Sequence, residues 1–318
     1  MRKAIAKVLG AGPKQGLEAM RADARVLNVL AREKAARLAT ADALFLDQSL
    51  KIKPGLAERV QGETATQVRT VEFGDPAAVD AVNDWAREAT GGRIASILEP
   101  GEKLSLAAIN AFAFADCWKH PFDPARTAPI QFRRADGQEE ATPAMTSAQL
   151  QLPFANQGDW FAVELPYADE RFAMTLVTNT RSPLTQKTLK DALAIAAAPM
   201  EPTSIVLQLP KFRASAGADL LGAMSRLGLG DHRRLPGFGA DVALSAVRQK
   251  TMLIVDEQGT QAAAVTAGVA TRSAPMPPVR LSFAQPFAFL LRHKPTGVVL
   301  LAGLYQRPEG AGEGKERQ

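Results

Sequence analysis

The apolar positions change character several times along the chain. From Met1 to about Ala39 they recur at helical spacing. Ile5, Val8 and Leu9 share a face before Gly10-Ala-Gly-Pro13 stops the pattern, and Met20, Val26, Leu27 and Leu30 resume it among arginines and glutamates. Leu38–Leu46 then alternates as a strand does, with Ala43 and Phe45 on one side. The clearest helix is predicted over Asp75–Gly91. Asp75 is the cap, Pro76 suits the first position, Val79, Val82 and Ala86 share a face, and Gly91-Gly92 closes it. Strands are predicted at Ala107–Phe114 (Asn110, Phe112 and Phe114 on one face), Trp160–Leu165, Arg171–Val177, Ile205–Leu209 and Met252–Val255. Pro210 is expected to end the fourth of these. Leu220–Leu227 reads as a short helix, and Phe287–Arg292 with Gly297–Leu301 as a hairpin turning on Lys294-Pro-Thr-Gly297. Helices and strands mix without βαβ alternation, so the class is α+β rather than a doubly wound sheet. Residues 307–318 lack apolar anchors and are expected to be a disordered C-terminal tail.

Composition removes several function classes. With one cysteine in 318 residues there is no internal disulfide scaffold. A hydrophobic fraction of 46% with 22% charged residues is that of a globular chain. No apolar run approaches the roughly 18 residues of a membrane span. The basic opening is interrupted by Lys7 and makes a poor signal peptide, which points to the cytoplasm unless an upstream segment carries an export signal. A net charge of +5 with acids spread throughout argues for no nucleic acid and no membrane partner.

Enzymatic chemistry finds little to build on. His120, His232 and His293 are far apart, none has a partner at metal-ligand spacing, and surface or capping roles are expected for them. Cys117, beside Trp118 at a strand end, reads as a buried structural thiol. Gly10-Ala-Gly12 has Gln15 where a dinucleotide loop needs its third glycine. No cofactor or metal is implied, and no catalytic residue is assigned. Arg21, Arg25 and Arg32 make a basic stripe, but Glu18, Asp23 and Glu33 lie among them. A solvated face explains it, and a polyanion partner has no further support.

The unusual segment runs from Val255 to Pro278. After an apolar strand and Gly259 come almost only small residues (Thr260, Ala262, Ala263, Ala264, Thr266, Ala267, Gly268, Ala270), then Arg272-Ser273, then Pro275, Pro277 and Pro278. Propensity alone gives an Ala-rich helix followed by a Pro-rich linker.

Glu257-Gln-Gly-Thr-Gln-Ala-Ala-Ala-Val-Thr266 resembles the hinge and reactive-centre loop of the serpins. Other segments are similar to that family in family order. They include Asp42–Pro54, Val82-Asn-Asp-Trp85 with Thr90–Ile94, and Ile109-Asn-Ala-Phe-Ala-Phe114 followed by Trp118 and Pro121-Phe-Asp123. Val163-Glu-Leu-Pro-Tyr167, Leu209-Pro-Lys-Phe212, Gln285-Pro-Phe287 and Arg292-His293 complete the series. The resemblance implies a serpin fold: a single domain over residues 1–306, with three β-sheets surrounded by helices and an exposed reactive-centre loop. The family's opening helices are not matched, so the domain reads as N-terminally incomplete and the chain as a bacterial-type member.

The resemblance also implies a function, that of a suicide inhibitor of a serine protease. The cleaved loop enters the main sheet as a new strand. The implied hinge residues are Glu257, Gly259, Thr260, Ala262, Ala263, Ala264 and Thr266, and the implied reactive bond is Arg272–Ser273. Ala270–Thr271 and Ser273–Ala274 are the alternatives. A cationic Arg272 suits a trypsin-like pocket with an acidic base. Counting from Thr260, Ala262, Ala264, Thr266 and Gly268 share its face, all small and uncharged, so entry buries no charge. Thr260 to Arg272 would span roughly 40 Å of strand. Asn110, Trp118 and Gln249 fall in the implied sheet-opening region, Gln249 standing where the family usually has histidine. The expected partner is a trypsin-like serine protease and the expected state a monomer. A non-inhibitory carrier or a truncated inactive member of the same fold is the competing reading.

Overall fold

The structure is a computed structural model that describes residues 38–64, 66–182, 184–185, 188–226, 234–239, 242–260 and 277–308. The helices expected before Leu38, the basic stripe, His232, most of the small-residue segment, Arg272-Ser273 and most of the expected tail lie outside the described residues.

The chain runs through β1 (Leu38–Asp47), α1 (Leu56–Thr64), β2 (Gln67–Val71), α2 (Ala77–Ala89) and β3 (Leu106–Phe114). There follow β4 (Asp116–Cys117), β5 (Ala128–Arg133), β6 (Glu139–Thr146), β7 (Leu150–Gln157), β8 (Trp160–Pro166), β9 (Phe172–Asn179) and α3 (Leu189–Ala196). The remainder is β10 (Glu201–Pro210), β11 (Phe212–Asp219), α4 (Leu220–Arg226), β12 (Ala246–Val255), β13 (Gly259–Thr260), β14 (Val279–Ser282), β15 (Phe287–His293) and β16 (Val298–Tyr305). No helix of the described residues is long and apolar enough to cross a membrane. Three sheets and the helices around them make the architecture α+β, as expected.

Two compact units can be described. The first holds the described residues up to Phe114 together with Ser215–Met252. Its five-stranded sheet has the order β11-β12-β3-β1-β2. β1 and β3 are antiparallel from Leu38↔Phe114 to Leu46↔Leu106, whereas β3 and β12 are parallel from Ala107↔Ala246 to Ala113↔Met252. One face of this sheet presents Ala43, Phe45, Ile109 and Ala111 to the apolar stripe of α2, where Val79, Val82, Trp85 and Ala86 are buried. Phe45 meets Trp85 edge to face at 5.6 Å. The helix begins at Ala77, with Pro76 at the cap position expected of Asp75, whose carboxylate still accepts from the Ala77 N–H at 2.9 Å. It stops at Gly91 and Gly92, whose φ of 60° and 82° an L side chain resists. Asn83 on α2 accepts from the Ile97 and Leu98 N–H groups and donates to the Leu98 carbonyl, which ties the helix to the segment entering β3.

The second unit holds Ala115–Ala214 and the described residues from Leu253 onward. Its large sheet runs β16-β15-β9-β8-β7-β10-β6-β5, with β14 on β10. Phe212, Phe283, Phe287, Phe289 and Tyr305 pack ring on ring at 5.0–5.6 Å. The predicted hairpin is present as β15 and β16, and Gly297 supplies the turn at φ 71°.

Two strands are longer than their apolar runs. β12 begins at Ala246, not Met252, because pairing with β3 holds Val247-Arg-Gln-Lys250 extended despite its polarity. β10 begins at Glu201 and includes Pro210, which sits at the strand's last position, where a missing N–H breaks no interior ladder bond. His293, expected at the surface or in a cap, is buried and its Nδ1 lies 2.8 Å from the Thr296 hydroxyl inside the turn. Cys117 is half-buried rather than buried.

Candidate functional site

The start of the small-residue segment is held by a cluster within the second unit. At the end of β12 the chain reverses in a tight turn, in which Asp256 and Gly259 exchange backbone hydrogen bonds of 3.0 and 3.3 Å. The Asp256 carboxylate also accepts from the Gln258 N–H at 3.0 Å. Gly259 has φ 145°, and a Cβ there would lie 2.2 Å from the Asp116 carbonyl oxygen and 2.6 Å from the Cys117 Cα. Only glycine fits that approach. The chain then forms β13, antiparallel to β4, with Gly259 opposite Cys117 and Thr260 opposite Asp116.

Trp118 and Tyr167 roof this pairing. They stack at 4.5 Å and 18°, and both are fully buried. The Trp118 indole N–H donates to the Asp256 carbonyl at 3.0 Å, and its backbone N–H donates to the Gln258 carbonyl at 2.9 Å. The Tyr167 and Thr260 hydroxyls are 2.8 Å apart, and Thr260 has no exposed surface. Burial pushes the Tyr167 phenol up, so it stays protonated.

Glu257 is the charged member of the cluster. Lys211 pairs with one of its oxygens at 2.9 Å, and the Thr127 hydroxyl donates to the other at 2.8 Å. The Phe122 N–H donates to the Glu257 carbonyl at 2.8 Å. Desolvation pushes this carboxyl up, but the bonds from Lys211 and Thr127, with a backbone bond between them in strength, hold it below the ordinary glutamate value. A carboxylate with a lowered folded pKa contributes stability above its unfolded pKa and loses that contribution as pH falls through the lowered value. Wild type should therefore exceed Glu257→Gln in urea-unfolding stability at neutral pH, and the difference should close below about pH 4. A difference unchanged down to about pH 3 would mean the clamp is not ionic.

Asn110 and Gln249 lie in the first unit, opposite each other in the β3–β12 register. The Gln249 amide donates to the Asn110 carbonyl oxygen at 3.1 Å, and the Asn110 amide donates to Asp42 on β1 at 2.8 Å. The glutamine thus forms a side-chain bond across the one parallel pairing in the centre of this sheet.

Of the sequence-derived hinge residues, the structure brings Glu257, Gly259 and Thr260 together with Trp118. Ala262, Ala263, Ala264, Thr266, Arg272 and Ser273 lie outside the described residues. Sequence reasoning missed the roles of Lys211, Thr127, Tyr167 and Asp116. Lys211 and Tyr167 stand in segments that carried the family resemblance, each directly after a proline, but nothing in either segment names its partner. Among the described residues no three His, Cys, Asp or Glu side chains converge to hold a metal. The arrangement anchors a loop by strand pairing, one stacked aromatic pair and one ionic clamp.

A family model described as Serpin (serine protease inhibitor) matches residues 1–308. Human glia-derived nexin is 31% identical over 84% of this chain and 72% of its own length. Serpin-ZX of Hordeum vulgare is 30% identical over 95% of this chain and 83% of its own. These animal and plant relatives lend no support to a bacterial-type assignment. The crystal structure of native protease nexin-1 with heparin superposes with a TM-score of 0.76 at 26% identity, covering 96% of this chain and 86% of that one.

Proposed function

The chain belongs to the serpin family, and from that premise we propose that it inhibits a trypsin-like serine protease as a suicide substrate. The protease serine attacks the Arg272 carbonyl. The Arg272–Ser273 peptide bond breaks, the Ser273 amine leaves with a proton, and an ester joins Arg272 to the protease. Before water reaches that ester, the freed segment enters the five-stranded sheet between β3 and β12 and draws the protease with it.

The observation that carries this reading is the pairing of Gly259-Thr260 with Asp116-Cys117. The reversal at Asp256–Gly259 makes any strand that continues β13 antiparallel to β12. Because β3 and β12 are parallel, a strand that enters between them and runs against β12 runs against β3 as well. Entry replaces one parallel ladder, Ala107–Ala113 on Ala246–Met252, with two antiparallel ones, which are more stable per residue. The uncleaved state is then held kinetically.

Thr260 is already buried and bonded, so the first inward-facing position is occupied before cleavage. Ala262, Ala264, Thr266 and Gly268 follow on its face without charge or bulk. Incubation with trypsin, followed by a denaturing gel, tests the proposal. A covalent band joining trypsin to the fragment ending at Arg272 is expected. Cleavage at Arg272 with no such band would favour a carrier of the same fold.

A further inference from the structure

β12 is tied to both of its neighbours by one side chain. Arg248 stands opposite Ile109 of β3 in the parallel register. Its Nη2 donates to the Glu102 Oε2 at 2.6 Å, four residues before β3 begins. Its Nη1 faces the Asp219 Oδ2 at 2.5 Å, at the end of β11 on the other side of β12. Arg248 and Glu102 keep only 23% and 21% of their side-chain surface exposed, against 52% for Asp219. Glu102 is itself pinned, because its other oxygen accepts from the Glu99 N–H at 2.9 Å.

We propose that Arg248 is a positioning residue that latches the β3–β12 seam shut through Glu102, and so sets how readily the sheet opens. The proposal rests on the insertion reading above. A strand entering the seam moves β3 and β12 from about 4.8 Å apart to about twice that. A hydrogen bond of 2.6 Å to a pinned carboxylate does not survive such a displacement. The Glu102 bond therefore exists only in the closed sheet, and an interaction made in one state alone biases the equilibrium by its own strength. The Asp219 pair behaves differently. It joins β12 to β11, which stay neighbours when the seam opens, so it orients the guanidinium and favours neither state. The neutral Gln249–Asn110 bond beside it also crosses the seam, but without the strength of a charge-assisted contact.

Amide hydrogen exchange on the intact protein tests the latch without any protease. Glu102→Gln should speed exchange about tenfold at the amides of Ala107–Ala113 and Val247–Met252. Asp219→Asn should leave those amides within about threefold of wild type. Arg248→Lys, which keeps the charge but cannot fork to both acids, should fall between wild type and Glu102→Gln. Equal acceleration in the two acid variants, or acceleration spread evenly to β1–β2, would overturn the latch. After loop cleavage, Glu102→Gln and wild type should unfold at the same temperature. A variant destabilised equally in both forms would also overturn it, leaving insertion intact. If cleaved wild type gains no stability, insertion fails, and exchange in the intact chain still decides the latch.

Discussion

Thr260→Arg is expected to abolish inhibition while leaving the loop cleavable. The Thr260 side chain has no exposed surface, and its hydroxyl is 2.8 Å from that of Tyr167. The carboxylate of the residue opposite, Asp116, is already held in place by two backbone donors. One of its oxygens accepts from the Cys117 N–H at 2.9 Å and the other from the Asp169 N–H at 3.1 Å. A guanidinium at this position must be desolvated and must displace the Tyr167 contact, and even with Asp116 near it the burial of such a charge costs several kcal/mol. In the intact chain that cost expels β13 from β4. During insertion the same charge must be buried again, now against a clock, because the ester is open to water. A penalty of about 3 kcal/mol on the insertion barrier slows it roughly a hundredfold. Deacylation then wins. Titration of trypsin should show the stoichiometry of inhibition rising at least about tenfold, with free cleaved protein as the product. Thr260→Ser, which keeps the hydroxyl and the small volume, should behave nearly as wild type. Unchanged stoichiometry for the arginine variant would mean that Thr260 does not face inward in the inserted strand.

The second large effect is expected from Trp118→Ala. Trp118 is 2% exposed and stacks on Tyr167 at 4.5 Å, and its indole N–H satisfies the Asp256 carbonyl. Truncation removes a large buried ring and leaves a cavity, which costs about 3–5 kcal/mol. It also removes one of the two donors to the Asp256 carbonyl that closes the turn into β13, leaving the Gly259 N–H at 3.3 Å. Trp118→Phe narrows the loss, since it keeps a ring over Tyr167 while giving up the donor and part of the indole's volume. It should cost about 1–2 kcal/mol. Urea unfolding of the two variants measures both. A cost below about 1 kcal/mol for the alanine variant would show that the stacked pair is not what anchors the turn.

Legibility in the sequence followed a physical line. α2 was visible because cap, apolar stripe and closing glycines all act within the helix. The β15–β16 hairpin was visible because its turn chemistry is local. β10 and β12 were found only in part. Their polar or proline-bearing halves are extended because a neighbouring strand pairs with them, and that pairing leaves no mark on the residues themselves. β5, β6 and β7 were not anticipated for the same reason. At the site, Gly259 and the small residues after it stood out because their composition is unusual over a long run. The contacts that secure them did not. Tyr167 is 93 residues from Thr260, and Thr127 is 130 residues from Glu257. A threonine hydroxyl and a lysine read as groups facing water until the fold brings a carboxylate to them. Family order supplied what periodicity could not, since it placed those distant segments in one architecture before any contact was known.

Inhibition as proposed requires the cleaved loop to become a strand of the five-stranded sheet. Calorimetric unfolding of the intact protein and of the same protein nicked at Arg272 tests it most directly. The nicked form is expected to unfold at a higher temperature, by on the order of 10 °C or more, because it has gained a central strand paired on both sides. A nicked form that unfolds at or below the temperature of the intact one would contradict it.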